Sequence, residues 1–558
     1  MNHNASLETD ASNPNDTIES STSTLNSNSN SDGTTAASLA QTLVTRCRTL
    51  LAELDALKTL LAETQRNPQI VEVRSLRSNV LSELKTLEKL SAQLQLYFNV
   101  SSAGSEEDNQ DRHGNANTDE NRIAEIEEAE LRVLHALKSS NLPFYEAVWT
   151  VAKHSCTGLV AFGKRFYFDA QATKGKDSNK EKGKRKSVFV DIVADDGEEW
   201  VKVSTISETR LLFEMAKKGW EGDSDDGDED GEERTVLRNF EGDGEDSEDD
   251  DDEIELIKLA GDMKKAASLV RVNYRRPRLR FVIPKIEERS SPEMDDLIKT
   301  IRGHGVVVTC GEDAFTSQGD DLPGSVEDEV RNLLPNRFKR FTTTLNVDCT
   351  LLLAFISDLS HYKTIEPSPK HHKAINRQIE IERERPLLPT ELWPAVESHE
   401  LICTSEAAKR MREIVDTIGT ETERKRMTIL MGDVPSVDAK PSFLVEELQK
   451  LSDYQVPSQL GLPIRIVDAG AVIEAGKNQA KLPPIAQKVE EILSDINTSV
   501  FMYGWVTDMM TITSNRTVVK QLEAMIEAQK DDEDLKGPLI WVCDTARSLI
   551  GKEKGRKA

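Results

Sequence analysis

Thr343-Thr344-Leu345-Asn346-Val347-Asp348 is the stretch whose reading decides the fold. It reads as a strand ending in an acid, and Leu351, Leu352, Phe355, Ile356 and Leu359 follow it at helical spacing. A second strand, Leu401-Ile402-Cys403-Thr404, leads into a helix from Ser405 that carries Glu406, Glu413 and Asp416 and stops at Gly419. Ser499–Tyr503 and Met509–Thr513 are apolar and β-branched, and Gly537–Cys543 is a final strand. Alternation of this kind from Arg340 to the end predicts a parallel sheet covered by helices. Ligands of open α/β sheets bind outside the carboxyl ends of the strands. Asp348 therefore either projects into such a site or caps the helix after it, and spacing leaves both readings open.

Upstream, the texture changes in steps. Residues 1–37 are rich in Asn, Ser, Thr and Asp and read as a disordered tail. Over 38–97, Leu39, Leu43, Cys47, Leu50, Leu54, Leu57 and Leu61 recur in steps of four and three. Asn67-Pro68 breaks the rhythm, and Leu76, Val80, Leu84, Leu87 and Leu94 resume it. Two amphipathic helices follow from this, as an intramolecular hairpin or a short coiled coil. Residues 98–121 read as a linker, and 122–310 as a mixed α/β domain. That domain opens on a helix, Arg122–Ser139, and its strands are Leu159–Phe168, Ser187–Val193, Glu199–Val203, Arg278–Ile283 and Val306–Thr309. Helices are expected over 255–272 and from Pro292 to Gly303, and 311–339 is read as a second linker.

Two charged loops interrupt this domain. The basic one, 171–186, carries seven Lys/Arg and two acids between Lys174 and Lys186. Its Lys184-Arg185-Lys186 end is a nuclear-import signal, a phosphate-contacting patch or a plain solvated loop. The acidic one, 221–255, has 20 Asp/Glu against Arg234 and Arg238, a balance of −18 within a chain total of −27. The rest of the chain carries only −9, so its folded parts need not repel nucleic acid. Charged residues make up 30% and hydrophobic residues 37%, which points to sizeable unfolded stretches.

Six cysteines (Cys47, Cys156, Cys310, Cys349, Cys403 and Cys543) are scattered without a C-x-x-C pair. That speaks against structural zinc and a disulfide framework, and suits reduced thiols in a cytoplasmic or nuclear protein. There is no signal-peptide layout and no run approaching 18 apolar residues, so no membrane partner is expected. Walker A, G-x-G-x-x-G and G-x-S-x-G patterns are absent.

The remaining chemistry is acidic. Carboxylates gathered at strand ends are what Mg²⁺ or Mn²⁺ needs to activate water beside a phosphodiester. Glu413 and Asp416 equally suit a solvated helix face, and Glu423 has a structural explanation, because Thr420-Glu421-Thr422-Glu423 has capping-box spacing. Asp508 and Asn515 sit in or beside turns near the last strands. Asp191 with Glu199-Trp200-Val201-Lys202 is faintly similar to restriction-type nuclease cores, but Trp200 stands where their acid belongs and reads as core.

Leu345-Asn346-Val347-Asp348, Asp416-Thr417-Ile418-Gly419 with Glu423-Arg424-Lys425-Arg426, and Thr511-Ile512-Thr513-Ser514-Asn515 resemble the family called domain of unknown function 1308. Val190-Asp191-Ile192-Val193-Ala194 with Trp200-Val201-Lys202-Val203 resembles its companion, domain of unknown function 5614; together they make uncharacterised protein family 0415. The resemblance covers about 120–558 outside the charged loops and implies a PIN-type ribonuclease fold for 340–558. By that resemblance Asp348 takes the place of the first-strand acid, and Asp416 and Glu423 supply the middle acids. Asn515 stands where PIN nucleases usually place an acid. Trp505 replaces the Asp of a family Gly-x-Gly-Asp pattern, with Asp508 three residues on as its substitute. The expectation is a catalytic set of Asp348, Asp416, Glu423 and Asp508, with a metal at Asp348 and Glu423. Two functions follow: a scaffold binding protein partners through a degenerate domain, or an Mg/Mn-dependent ribonuclease or RNA-processing factor.

Overall fold

A computed structural model describes residues 36–65, 71–103, 128–168, 186–218, 253–311, 330–369, 371–433, 440–529, 535–543 and 547–551. The tail up to 35, most of 98–121, Asn67-Pro68, residues 122–127 of the helix expected over Arg122–Ser139, nearly all of both charged loops and most of 311–339 lie outside them. Contacts divide the chain into two units, 1–46 with 84–140, and 47–83 with 141–558.

The first unit is helical. It takes in the start of the helix Ala36–Thr64, the later part of the helix Arg74–Ala103 and a helix over 128–138. Leu43, Leu87, Leu94 and Leu137 are buried, as the leucine spacing requires. The second helix continues to Ala103, through residues expected to begin the linker. No described helix is long and apolar enough to cross a membrane.

The second unit contains two five-stranded sheets. In the first, β1 (Ala161–Phe168), β2 (Lys186–Ala194) and β3 (Glu199–Val203) are antiparallel, and β4 (Arg278–Ile283) and β5 (Val306–Cys310) add parallel to β3. Alternate apolar side chains such as Val188 and Val190 enter a core closed by the helices Glu255–Ala267 and Pro292–Gly303. Trp200 is 1% exposed and stacks on Phe166 at 3.7 Å, which makes it core, as its neighbours in sequence predict. Lys202 meets the buried Asp191 at 3.1 Å across the β2–β3 ladder, and the Val203 amide donates to the same carboxylate. Burial pushes the Asp191 carboxyl up from the usual range against the pull of Lys202.

The second sheet is parallel throughout: β6 (Thr344–Val347), β7 (Glu400–Thr404), β8 (Arg465–Val467), β9 (Met510–Thr513) and β10 (Ile540–Val542), in the order β10-β9-β6-β7-β8. Both faces of its central strands are covered, which is why β6, β7 and β9 are buried along nearly their whole length, their few polar side chains included. Leu345, Val347, Leu401, Cys403 and Ile512 pack with the helices Cys349–Ile356 and Ser405–Ile418. Ile402 faces the other way, toward Phe501, Ile473 and Leu522. Asn346 shares that inner layer, donating to the Val500 carbonyl (2.9 Å) and the Thr511 hydroxyl (3.1 Å).

One reading changes and one strand is new. Ser499–Tyr503 is helical, through a wide turn Thr498–Met502 that runs into Tyr503–Val506. A short apolar run buried all round carries no period that separates strand from helix. Gly504 lets this turn close on β9, since a Cβ there would sit 2.1 Å from the Thr511 hydroxyl oxygen. The strand β8, in turn, has no clear apolar signature, because Arg465 and Ile466 are exposed on the sheet edge.

Candidate functional site

The strand order reverses beside β6: the chain fills one side with β7 and β8, then crosses to place β9 and β10 on the other. The crevice at the carboxyl ends of β6 and β9 is thus the topological switch point, where such sheets bind ligands. Asp348 stands there. Its amide donates to Ile512 (3.0 Å), and its carbonyl accepts from Leu351 and Leu352, which starts the helix Cys349–Ile356.

The side chain is turned inward. Asp348 is 2% exposed, and its Oδ2 accepts the Thr350 hydroxyl at 2.6 Å and the Thr513 hydroxyl at 2.7 Å. Those hydroxyls in turn accept the Ser514 and Asn515 amides, at 3.1 and 2.9 Å. One carboxylate therefore stitches the turn after β9 to the start of the helix after β6. Burial pushes its pKa up, and the two threonine hydroxyls oppose the rise by favouring the anion. Asn515 Oδ1 accepts from Val518 and caps the helix Arg516–Glu527, a reason for an amide here that concerns no metal.

The other expected acids lie elsewhere. Glu423 is 0% exposed and completes the capping box with Thr420; its Oε2 accepts the Thr420 amide (2.9 Å), and its Oε1 accepts those of Asp358 and Ile550 (3.1 Å each). It belongs to a buried network in which Asp358 accepts from Arg426 (2.6 Å), Thr420 (2.6 Å) and Thr422 (2.7 Å). The helix Cys349–Ile356 separates that network from Asp348, roughly 12 Å at 1.5 Å per residue. Burial raises the Glu423 pKa, against the three amides it accepts. Asp416 is exposed in the last turn of its helix, where its carbonyl accepts from Arg424. Asp508 is exposed with φ 51°, before the amino end of β9 and roughly 17 Å along the chain from Thr513. Trp505, in the place of the family's acid, is 5% exposed in the core.

Asp348, Asp416, Glu423 and Asp508 are therefore not one set. The two acids assigned to the metal are each held by other partners, so the residues do not fit an Mg²⁺ or Mn²⁺ shared by them. Among the described residues, no group of three or more His, Cys, Asp or Glu side chains is arranged to hold a metal ion.

Sequence reasoning passed over two acids at the same rim as Asp348. Glu406 lies two residues past β7, and its Oε2 is buried without a hydrogen-bond partner among the described residues. Asp468 follows β8, is exposed and accepts from Gly470 at 3.1 Å. The pairings Asn346↔Ile402 and Thr404↔Val467 bring the ends of β6, β7 and β8 level, about 5 Å apart per strand. The one shared sequence mark is Val467-Asp468, which repeats the Val347-Asp348 that closes β6, too short a pattern to identify a strand end.

Residues 345–459 match the family model described as Protein of unknown function (DUF1308). That segment runs from β6 past the capping network, so it takes in Asp348, Glu406, Asp416 and Glu423, but not Asp468 or Asp508. No solved structure matches the chain.

Proposed function

We propose that this chain is a non-catalytic binding or scaffold protein, built on a degenerate PIN-like C-terminal domain with a companion of the domain of unknown function 5614 type. The observation that carries the reading is Asp348. The acid at the switch point is closed off from solvent and spends its carboxylate on Thr350 and Thr513, so it serves the packing of the sheet end. The helical first unit and the acidic segment 221–255 are the surfaces offered to protein partners. The test is the full chain incubated with single-stranded RNA and Mn²⁺. No turnover is expected from wild type, together with recovery from cells in a stable stoichiometric complex; turnover that Asp348→Asn abolishes, or a partner-free monomer from cells, overturns the reading.

The alternative is an Mg/Mn-dependent ribonuclease or RNA-processing factor. It is favoured by the common rim of Asp348, Glu406 and Asp468, three acids at adjacent strand ends. Loss of RNA cleavage in Asp468→Asn and Glu406→Gln, with cleavage untouched in Asp416→Asn, selects it over the scaffold.

A further inference from the structure

At the opposite end of the second sheet, before β9 and β10, a cleft of about 580 Å³ is lined by Tyr274, Arg275, Asp508, Glu523, Glu527 and Lys536, among others. That volume suits one small ligand or a few side chains of a partner. We propose that this cleft binds an organic cation, a primary ammonium or guanidinium group, with Tyr274, Glu523 and Glu527 as its ligands.

Tyr274 is the central observation. It is 8% exposed, packed among Leu535, Ile526 and Leu522, and its hydroxyl makes no hydrogen bond among the described residues. Buried phenols ordinarily find a partner, whereas here the ring is buried and the hydroxyl oxygen keeps contact with solvent in the cleft. This one reaches the cleft wall, where Glu523 and Glu527, one helical turn apart, act on it electrostatically. Burial raises the Tyr274 pKa, so the phenol stays protonated and its oxygen is free to accept. The backbone holds it there under strain. Val272 and Arg275 exchange both amide hydrogen bonds across a two-residue turn, with Asn273 at φ 50° and Tyr274 at φ 69°. Glycine is the usual occupant of the second position, and an aromatic residue there is an outlier. Gly537 makes room, since a Cβ on it would meet the tyrosine ring at 2.1 Å.

Lys520, on the same helix, acts on Glu523 and offsets part of the effect of its burial. Glu523, Glu527 and Asp508 have no ion pair among the described residues, and like charges one helical turn apart repel. Burial, then Glu527, raises the Glu523 pKa. Arg340 is taken by Glu198, while Arg275 and Lys536 are exposed, where water screens them. The inner wall thus combines two unpaired carboxylates with a phenol oxygen, all acceptors toward N–H donors, and the tyrosine ring adds a face that favours cations.

The chemistry has two sources, a lysine or arginine side chain of a partner protein or a free polyamine. Calorimetric titration of the full chain separates them, with spermidine in one arm and an acetylated, amidated pentapeptide bearing one central lysine in the other. The same peptide with norleucine is the blank. Saturable binding of either probe is expected. It weakens about tenfold or more in the Glu523→Gln/Glu527→Gln double variant, the loss of at least one charge-assisted hydrogen bond, and less in Tyr274→Phe. Spermidine also associates with the acidic segment 221–255, but that association is unchanged in these variants. Equal titration curves for wild type and the double variant, or no saturable heat from either probe, overturn the proposal. Binding of the peptide alone assigns the site to a protein side chain, and tighter binding of spermidine assigns it to a polyamine.

Discussion

Glu423→Ala separates a structural acid from a catalytic one. The wild-type carboxylate is wholly buried and accepts three backbone amides, from Thr420, Asp358 and Ile550. Truncation leaves all three donors without an acceptor, the Asp358 amide buried and those of Thr420 and Ile550 partly so. A hydrogen bond to a charged group contributes about 1.5–3 kcal/mol, and relaxation with water entry recovers part of the sum, so a net loss of roughly 3–5 kcal/mol is expected. The loss is local to the start of the helix Asp358–His361, the cap of the helix Glu421–Met431 and the segment 547–551. Hydrogen exchange on peptides from those three segments reads it directly, as rates raised on the order of a hundredfold or more. Glu423→Gln keeps one acceptor oxygen and should fall between wild type and alanine. A rise below about fivefold in all three segments refutes the capping account, since that is under roughly 1 kcal/mol. An acid held for catalysis would behave in the opposite way, with turnover lost in Glu423→Gln and exchange unchanged.

Further outcomes follow from the same coordinates. His361 is wholly buried, and burial, then Arg426, holds its pKa down at about 3 against the ordinary 6.5. The unfolded chain alone takes up this proton as pH falls below 6.5, so the folded state loses about 2 kcal/mol by pH 5, a slope that His361→Gln should remove in urea titrations at the two pH values. Asp348 and Glu423, whose pKa values are raised, act with the opposite sign, their contribution fading as pH rises through the raised values; the difference between wild type and His361→Gln isolates the histidine. Lys202→Met leaves Asp191 buried without its cation and should cost about 3 kcal/mol, read as faster exchange over 186–203. Gly537→Ala forces the Tyr274 ring aside at a cost of about 1–3 kcal/mol, visible in the thermal midpoint and in weakened spermidine binding.

The sheet was legible from Leu345-Asn346-Val347-Asp348 because a short strand with Leu345 and Val347 on one buried face leads straight into the apolar helix after Asp348. The leucine stripe from Leu43 to Leu61 was legible for the same reason, with one buried face setting one period. The edge strand β8 was not, since only three residues pair and two of them are exposed. Glu423 was half legible. The capping box lies within four residues of sequence, whereas the donors that bury its carboxylate come from Asp358 and Ile550, distant in the chain. The carboxylates grouped by family resemblance could not be sorted by charge. What distinguishes Asp348, Glu423 and Asp508 is which hydroxyl, amide or solvent faces each one, and that is set by pairings such as Val347↔Ile512 that leave no local trace.

The two ends of the second sheet stand in contrast, and the contrast bears on function more than any single acid does. At the carboxyl end Asp348 is satisfied by two hydroxyls and each hydroxyl by an amide, so its own network is closed, while Glu406 Oε2 on the same rim has no partner among the described residues. A closed network stabilises the fold and offers little to a ligand, because any new bond there replaces an old one. At the amino end a phenol hydroxyl with no protein partner among the described residues opens to the cleft, two residues of a tight turn sit in the left-handed region, and like charges face one cleft. The strained turn and the like charges raise the free energy of the folded chain, and a cation with N–H donors offsets the charges. On our proposal the Asp348 crevice serves packing, and cation binding belongs to the other rim. A substitution that reopens the first rim, such as Thr513→Ala beside Asp348, should therefore loosen the sheet without weakening cation binding. Glu523→Gln should do the reverse, and failure of the two effects to separate would join the rims into one functional unit.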